Sequence, residues 1–426
     1  MRHLIIGSGI AGLQAARTLR AVQPEAEVTM LGREQGNPYS RPMISQLLEG
    51  SVQTNQLDLG LPPKVELIAG ESAVSIDTHQ KVVKTSRSRH FPYDRLLVAS
   101  GADPRPIAAG KADLQNIHFM RTRAQVEEML AEMPRCRKAL VLGGGLVGFK
   151  AAYAFLRQGL DVSMLIRSEH PLSQQVDPTA GGRILEKLQE NGLRVSVGLE
   201  VAEFLGHNGR VVGAELSDGS RIDCDLVVVG KGVLPSTGFL DHSGIVTDLG
   251  ILVDDFLRTS APDVFAAGDV AEHFDLARGR RWVNAIWPEA AEQGRIAGLN
   301  MAGRQVRYPG SVSRNTIRIF DLDILTCGLV DPGSEEGYEV LQDQDSRTKT
   351  YRRLVFSDDR LVGAVCLNRI EHGGLLLYLI KSGRPVPAPK EELLQPGFHP
   401  GRLGLVRWQA MAASSSPLPP WGGFHS

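Results

Sequence analysis

The chain has 426 residues with 47 basic and 48 acidic side chains, a net charge of −1, so no global field points to nucleic acid or an anionic membrane surface. That length exceeds one ordinary hydrophobic core and implies about two to four domains. No apolar run reaches the roughly 18 residues of a membrane span, and the first strand begins too near Met1 to leave room for a signal peptide, so a soluble cytoplasmic protein is expected.

The apolar stretch Leu4 to Gly7 predicts a strand, Ile10 to about Val22 a helix, and Glu27 to Leu31 a second strand, which together make one βαβ unit. Between strand and helix lies Gly7-x-Gly9-x-x-Gly12. Gly7 allows the tight turn, Gly9 lets bare backbone approach a pyrophosphate, and Gly12 lets helix pack on strand, while the helix N-terminus offers N–H groups to phosphate. With 46 glycines, chance supplies roughly half such a match per chain. The flanking strand and helix therefore carry the inference.

Residues 32–45 are polar and proline-punctuated, which predicts an irregular loop. Val65 to Ile76, Lys81 to Thr85 and Phe91 to Gly101 look like strands, the last ending in the small residues Ala99-Ser100-Gly101. A second unit opens at Ala139 to Leu142, turns through Gly143-x-Gly145-x-x-Gly148, continues as a helix through Ala151 to Arg157 and reaches a strand at Val162 to Ile166. It is a second dinucleotide cradle. Two buried strands then close on glycine, Leu226 to Gly230 followed by Gly232, and Val264 to Gly268 followed by Asp269. From about Tyr308 the chain turns β-rich, with strands at Arg314 to Phe320, Tyr351 to Phe356 and Leu361 to Leu367, a hairpin turn at 357–360, and a helix from about Gly373 to Lys381. Ala412 to Ser426 has the composition of a disordered tail.

In this order, the two cradles, Ala99-Ser100-Gly101, Met120-Arg121-Thr122, Gly230-x-Gly232-x-x-Pro235 and Ala266-Ala267-Gly268-Asp269 resemble the FAD-dependent pyridine-nucleotide oxidoreductases, the two-dinucleotide flavoproteins. The likeness covers roughly residues 1–395. It implies an α/β fold with two Rossmann-like domains, for FAD and NAD(P)H, and a C-terminal α+β interface domain. The FAD domain would be discontinuous, at 1–118 and 244–306, around an NAD(P)H domain at 119–243, followed by the interface domain at 307–395 and a Pro/Ser/Gly-rich tail at 396–426. By resemblance the FAD contacts fall on Gly7, Gly9, Ile10, Ala11, Gly12, Arg33, Glu34, Arg41, Pro42, Val74, Ala99, Ser100, Gly101, Arg121, Gly268, Asp269, Trp287, Glu289 and Ala290. Those to NAD(P)H fall on Gly143, Gly145, Leu146, Val147, Gly148, Arg167, Gly230 and Gly232. No metal ligand is implied.

Within the family, Pro38-Tyr39-Ser40-Arg41-Pro42-Met43-Ile44-Ser45 is similar to a loop of rubredoxin and ferredoxin reductases, nitrite-reductase flavin parts and apoptosis-inducing factor. Disulfide reductases place redox cysteines in this region. The four cysteines here, Cys136, Cys224, Cys327 and Cys366, lie elsewhere and read as buried free thiols, so a dithiol relay through this loop is excluded. Asn284 to Gly303 is similar to the flavin-edge helix, whose N-terminus, opened by Pro288, would stabilise the charge that reduction places on a flavin.

Two positions depart from the pattern. Relatives carry Lys after the loop serine and Glu two residues beyond the second cradle, where this chain has Gln46 and Lys150. Lys150 is either a catalytic cation on the hydride path or a solvated helix lysine. At the end of the second unit, Ile166-Arg167-Ser168 lacks the acid that accepts from an NADH ribose. Arg167 fits the 2′-phosphate of NADPH, whereas Gly148 and the nearby Glu169 fit NADH, and the arginine tips the expectation to NADPH.

The function expected is FAD-dependent NAD(P)H oxidation, with electrons passing to a small iron protein, rubredoxin or ferredoxin, or to a nitrite-reductase partner. The C-terminal part would supply partner and homodimer surfaces. An NADH oxidase and a redox sensor of the apoptosis-inducing-factor kind are the rivals. No Ser-His-Asp arrangement, HExxH or P-loop lysine is present, and the 11 histidines are scattered, so hydrolase and NTPase readings have no support.

Overall fold

The computed structural model describes residues 1–386, 389–395, 397, 398 and 401; the tail expected at 412–426 lies outside the described residues. Its framework is two parallel sheets and one antiparallel sheet. In the first, five parallel strands run in the order Val264–Ala266, Arg95–Val98, Arg2–Ile6, Glu27–Gly32, Val65–Ala69. The near-continuous apolar runs of these strands are what a sheet covered on both faces requires, and Leu4, Ile5, Leu96, Leu97 and Val264 are all buried. Val264–Ala266 joins this sheet from far along the chain, pairing Ala266 with Val98.

The second sheet orders Arg194–Val197, Asp161–Ile166, Lys138–Leu142, Leu226–Val229 and Ile117–Phe119, again all parallel. Leu142 lies between Leu165 and Val229 in register, so the second glycine turn springs from the middle of the sheet, as the first does from Ile6 between Leu31 and Val98. The third sheet is antiparallel, with Arg314–Ile319, Leu322–Gly328, Arg360–Leu367, Thr350–Ser357 and Tyr338–Asp345 in spatial order. The helix Gly373–Ser382 buries Leu376, Leu379 and Ile380 with the Leu325, Leu354 and Phe356 cluster of that sheet and ends where Gly383 turns left-handed.

One apolar cluster ties the three parts together. It joins Ile44, Leu47 and Leu48 of the helix Ile44–Glu49, Phe149 and Phe155 of the helix Leu146–Arg157, and Ile319, Ile324 and Leu367 of the antiparallel sheet. Each such side chain, fully buried, contributes about 1.5–3 kcal/mol.

The structure differs from the sequence expectation at several points. The stretch from Val65 to Ile76 is two strands, Val65–Ala69 and Ala73–Asp77, in different sheets, because Gly70 at φ +70 reverses the chain between them. Within residues 32–45, expected as loop, lie a short 3₁₀ turn, Arg41–Met43, and the start of the helix Ile44–Glu49. Pro42 sits in the first turn, where its missing N–H costs nothing. The three-stranded meander Val201–His207, Arg210–Leu216 and Arg221–Asp223 and the strands Leu322–Gly328 and Tyr338–Asp345 have no counterpart in the sequence reading. The expected helix at 287 onward is Trp287–Met301, with Pro288 in its first turn.

Candidate functional site

Each cradle divides its glycines between packing and access. A Cβ on Gly7, which sits at φ +113, would lie on the Ala99 carbonyl oxygen, and one on Gly12 would lie on that of Gly7. At Gly9 a Cβ would meet nothing within 4 Å. The outer glycines are therefore demanded by the protein's own backbone, and the middle one faces open space. The second cradle repeats this: Gly143 (φ +108) abuts the Gly230 carbonyl, Gly148 that of Gly143, and Gly145 has no neighbour nearer than 4.0 Å. Gly9 and Gly145 are the extended N-caps of the helices Ile10–Val22 and Leu146–Arg157, whose first-turn N–H groups lack intrahelical acceptors and carry positive partial charge. Both arrangements fit a dinucleotide pyrophosphate.

A cavity of about 530 Å³ opens in front of the first cradle. It is lined by Gly7, Gly9, Ile10 and Ala11, by Arg33, Glu34, Arg41 and Pro42, by Ala99, Ser100, Gly101 and Arg121, and by Gly268, Asp269, Trp287 and Ala290. The second unit contributes Leu146, Val147, Lys150, Gly230 and Gly232, and the antiparallel sheet contributes Arg314, Asn315, Thr316 and Ile317. The space between the cradles is thus continuous. A further cavity of about 430 Å³, bordered by Arg95, Arg258 and Asn300, touches none of these residues.

Close helix packing sets the far wall. A Cβ on Gly294 would strike the Ala11 backbone and one on Gly298 the Ala15 carbonyl at 2.8 Å, so the helix Trp287–Met301 lies directly on the helix Ile10–Val22. Gly268 is wedged between the methyl groups of Ala11 and Ala290, and its N–H donates to the Gln293 side chain at 2.8 Å. This glycine pair is a sequence signal that was not used in the sequence reading.

Polar side chains are tied in place. Tyr39 donates its hydroxyl to Glu34 at 2.6 Å, burial pushes that phenol up to about 12, and Arg41 pairs with the other Glu34 oxygen while also donating to the Arg121 carbonyl. Arg121 bonds Asp269 at 2.8 Å and the Ala102 carbonyl at 3.0 Å. Arg33 pairs with Asp103, which also accepts from Ser236 at 2.6 Å. Lys150 differs. Among the described residues no carboxylate lies within salt-bridge reach of it, and although solvent reaches its surface, the walls of the recess depress its ammonium below the usual lysine range by desolvation.

Gly12, Gly143, Gly145 and Gly148 lie within the cradles but outside the cavity lining, and three further expected contacts stand away from it. Val74 is the extra residue of a β-bulge between Ala73 and Ser75, which turns it outward to 44% exposure instead of onto the buried face with Ile76. Glu289 is fully buried and faces the antiparallel sheet, where it pairs with Arg314 and accepts from Tyr308. Arg167, 82% exposed, lies 3.9 Å from Glu200, which accepts from Lys231 at 2.9 Å. The four cysteines are buried, unpaired and outside the cavity lining; burial pushes the Cys136 and Cys224 thiols up to about 11 and about 12, far from thiolate at neutral pH.

Residues 1–294 match the family model for pyridine nucleotide-disulphide oxidoreductases. The chain belongs to that family. Residues 314–384 match a second model, the rubredoxin NAD+ reductase C-terminal domain. The chain is 29% identical over 402 residues to the nitrite reductase [NAD(P)H] of Bacillus subtilis, covering 92% of this chain and 49% of that protein. It is 25% identical over 389 residues to the rubredoxin-NAD(+) reductase of Pseudomonas putida, covering 89% and 99%. Among solved structures, a ferredoxin reductase from Rhodopseudomonas palustris superposes with a TM-score of 0.84 at 25% identity, over 94% of this chain and 99% of the other. The chain spans about half the length of the Bacillus nitrite reductase it matches. The chain thus joins a pyridine nucleotide-disulphide oxidoreductase region to a C-terminal region that matches the rubredoxin NAD+ reductase domain. No helix among the described residues is long and apolar enough to cross a membrane.

Proposed function

We propose that the protein binds FAD at the first cradle and NAD(P)H at the second, and passes the electrons of the nicotinamide to a small iron protein of the rubredoxin or ferredoxin class. The observation that carries this is the shared cavity, in which residues of both cradles face one space with no cysteine in its described lining. Bound there, the flavin would supply the exchange between two-electron hydride chemistry and one-electron transfer. The protein's part is orientation and exclusion of water. Gly9 and Gly145 admit the two pyrophosphates, Asp269 and Arg121 fix the middle of the cavity as an ion pair, and Val147 and Lys150 present the second unit to the first. Glu34, steadied by Tyr39 and Arg41, is the acceptor for the adenosine ribose.

For the nicotinamide coenzyme we infer NADPH. Arg167 and Lys231 flank Glu200, whose hydrogen bond from Lys231 holds it below the usual carboxylate range and hence ionised, while Arg167 stays 82% exposed and open to a 2′-phosphate. The iron-protein acceptor is supported by the C-terminal rubredoxin-reductase match and by the rubredoxin and ferredoxin reductases among the similar proteins.

The test is anaerobic reduction of the purified flavoprotein by NADH and NADPH, followed by addition of rubredoxin or ferredoxin with cytochrome c as the final sink. Bleaching by both donors with higher kcat/KM for NADPH, and carrier-dependent cytochrome reduction, are expected. Failure to bleach with either donor refutes the oxidoreductase site, a clear NADH preference refutes the arginine argument, and, in a parallel aerobic assay, oxygen uptake at turnover rate without a carrier assigns the electrons to oxygen instead.

A further inference from the structure

We propose that Arg314, contributed by the antiparallel sheet, fixes the charge at the ring end of the flavin cavity, and that Glu289 is the positioning residue that holds it there. The proposal rests on FAD occupying the first cradle.

Arg314 is the first residue of the strand Arg314–Ile319, paired in register with the buried Cys327. Arg314 lines the cavity, and its guanidinium donates to one oxygen of Glu289. Glu289, in the first turn of the helix Trp287–Met301, is fully buried. Its other oxygen accepts from the Tyr308 hydroxyl, and Lys381 stands 3.5 Å from the first. Lys381 is shared with Glu292 at 3.8 Å. Of these five groups only Arg314 faces the cavity.

A buried carboxylate is costly unless paired and hydrogen-bonded, and a buried ion pair is often replaceable by apolar side chains without loss of stability. Packing alone therefore gives no reason for a guanidinium at this position. The cavity gives one. Its lining holds Glu34, Gly9 and Ala11 of the first unit, Gly268 set against Ala11 and Ala290, and the helix start Ile286, Trp287 and Pro288, whose next residue, Glu289, binds Arg314. A FAD whose pyrophosphate lies at Gly9 and whose adenosine lies toward Glu34 has its ring at the Arg314 end. Reduction puts negative charge on that ring, and a fixed cation together with a helix N-terminus favours the charged form. Glu289 keeps the cation aimed inward at no cost of reorganisation, since both its oxygens are held by groups outside the cavity.

The experiment is a redox titration of the FAD-loaded protein in four forms: unaltered, Arg314→Gln, Arg314→Lys, and the double Arg314→Gln/Glu289→Gln, in which no orphan charge is left buried. Arg314→Gln is expected to lower the ratio of reduced to oxidised flavin at a fixed poise about tenfold, which is about 30 mV for a two-electron couple. Arg314→Lys should recover most of that shift, and the double variant, which removes the opposite charge as well, should shift in the same direction by a smaller amount. FAD retained with an unchanged potential in Arg314→Gln, or in the double variant should the single one not fold, overturns the proposal. Should the unaltered protein take up no FAD, it is the cofactor reading that fails, and the potentials of the variants are not then the cause.

Discussion

Adding one methyl group at Gly9 and at Gly12 separates ligand space from structural space within a single turn of chain. At Gly12 the new Cβ would sit on the Gly7 carbonyl oxygen, a backbone obstacle that cannot rotate away. Overpacking of that kind costs about 1–3 kcal/mol, and the rigid obstacle argues for the upper end. Against it stands a gain of about 1 kcal/mol in helix propensity, which leaves a net loss of about 2 kcal/mol. At Gly9 the same atom meets nothing within 4 Å, and the backbone at φ −74, ψ −176 accepts any residue. Gly9→Ala should therefore change the stability of the flavin-free protein by less than about 1 kcal/mol, the scale of an N-cap effect. It should instead block the approach of the pyrophosphate. Losing one charge-assisted hydrogen bond costs about 1.5–3 kcal/mol, so Kd for FAD should rise roughly 10- to 150-fold. Urea unfolding of the flavin-free proteins and quenching of FAD fluorescence on titration give the two quantities. A Gly9→Ala protein that loses as much stability as Gly12→Ala, or binds FAD as the unaltered protein does, refutes the division of labour.

Lys150 carries a pH prediction. Its ammonium is depressed by desolvation, so the cation is present below the lowered pKa and is lost as pH rises through it, earlier than an ordinary lysine would lose it. Stopped-flow reduction by NADPH should slow over that alkaline limb, and Lys150→Gln should be slower throughout and lack the limb; identical pH profiles would remove Lys150 from the hydride path. At the helix crossing, Gly294→Val should force the helices Ile10–Val22 and Trp287–Met301 apart, with a stability loss of about 3 kcal/mol or more. A urea midpoint and flavin content equal to those of the unaltered protein would show that the contact of Gly294 with Ala11 does not set the cavity wall.

Much of the framework was legible in local spacing. A strand, a glycine turn and a helix are specified by neighbours a few residues apart, so the helix Ile10–Val22, the strand Asp161–Ile166 and the helix Gly373–Ser382 were anticipated nearly residue for residue. What sequence spacing does not report is which distant groups meet. Glu34 was expected only as an FAD contact, and the fold supplies it with Tyr39 and Arg41. Glu289 looked like a cavity residue, but at its angle on the helix it turns to Tyr308, in the segment ahead of the antiparallel sheet, and to Arg314, the first residue of that sheet. Val74 had the alternation of a buried strand until a bulge rotated it to solvent.

The sequence by itself thus determined the two cradles, because steric demand on glycine is local and leaves its mark in the residue type. It also determined the absence of a cysteine from the flavin loop. The tertiary structure alone decided that both cradles open on one space, that helices touch through Gly294 and Gly298, that Lys150 faces that space without a counter-charge among the described residues, and that Arg314 completes the wall. Those outcomes depend on Coulomb and packing terms between groups far apart in the chain, and only the folded geometry brings them within range.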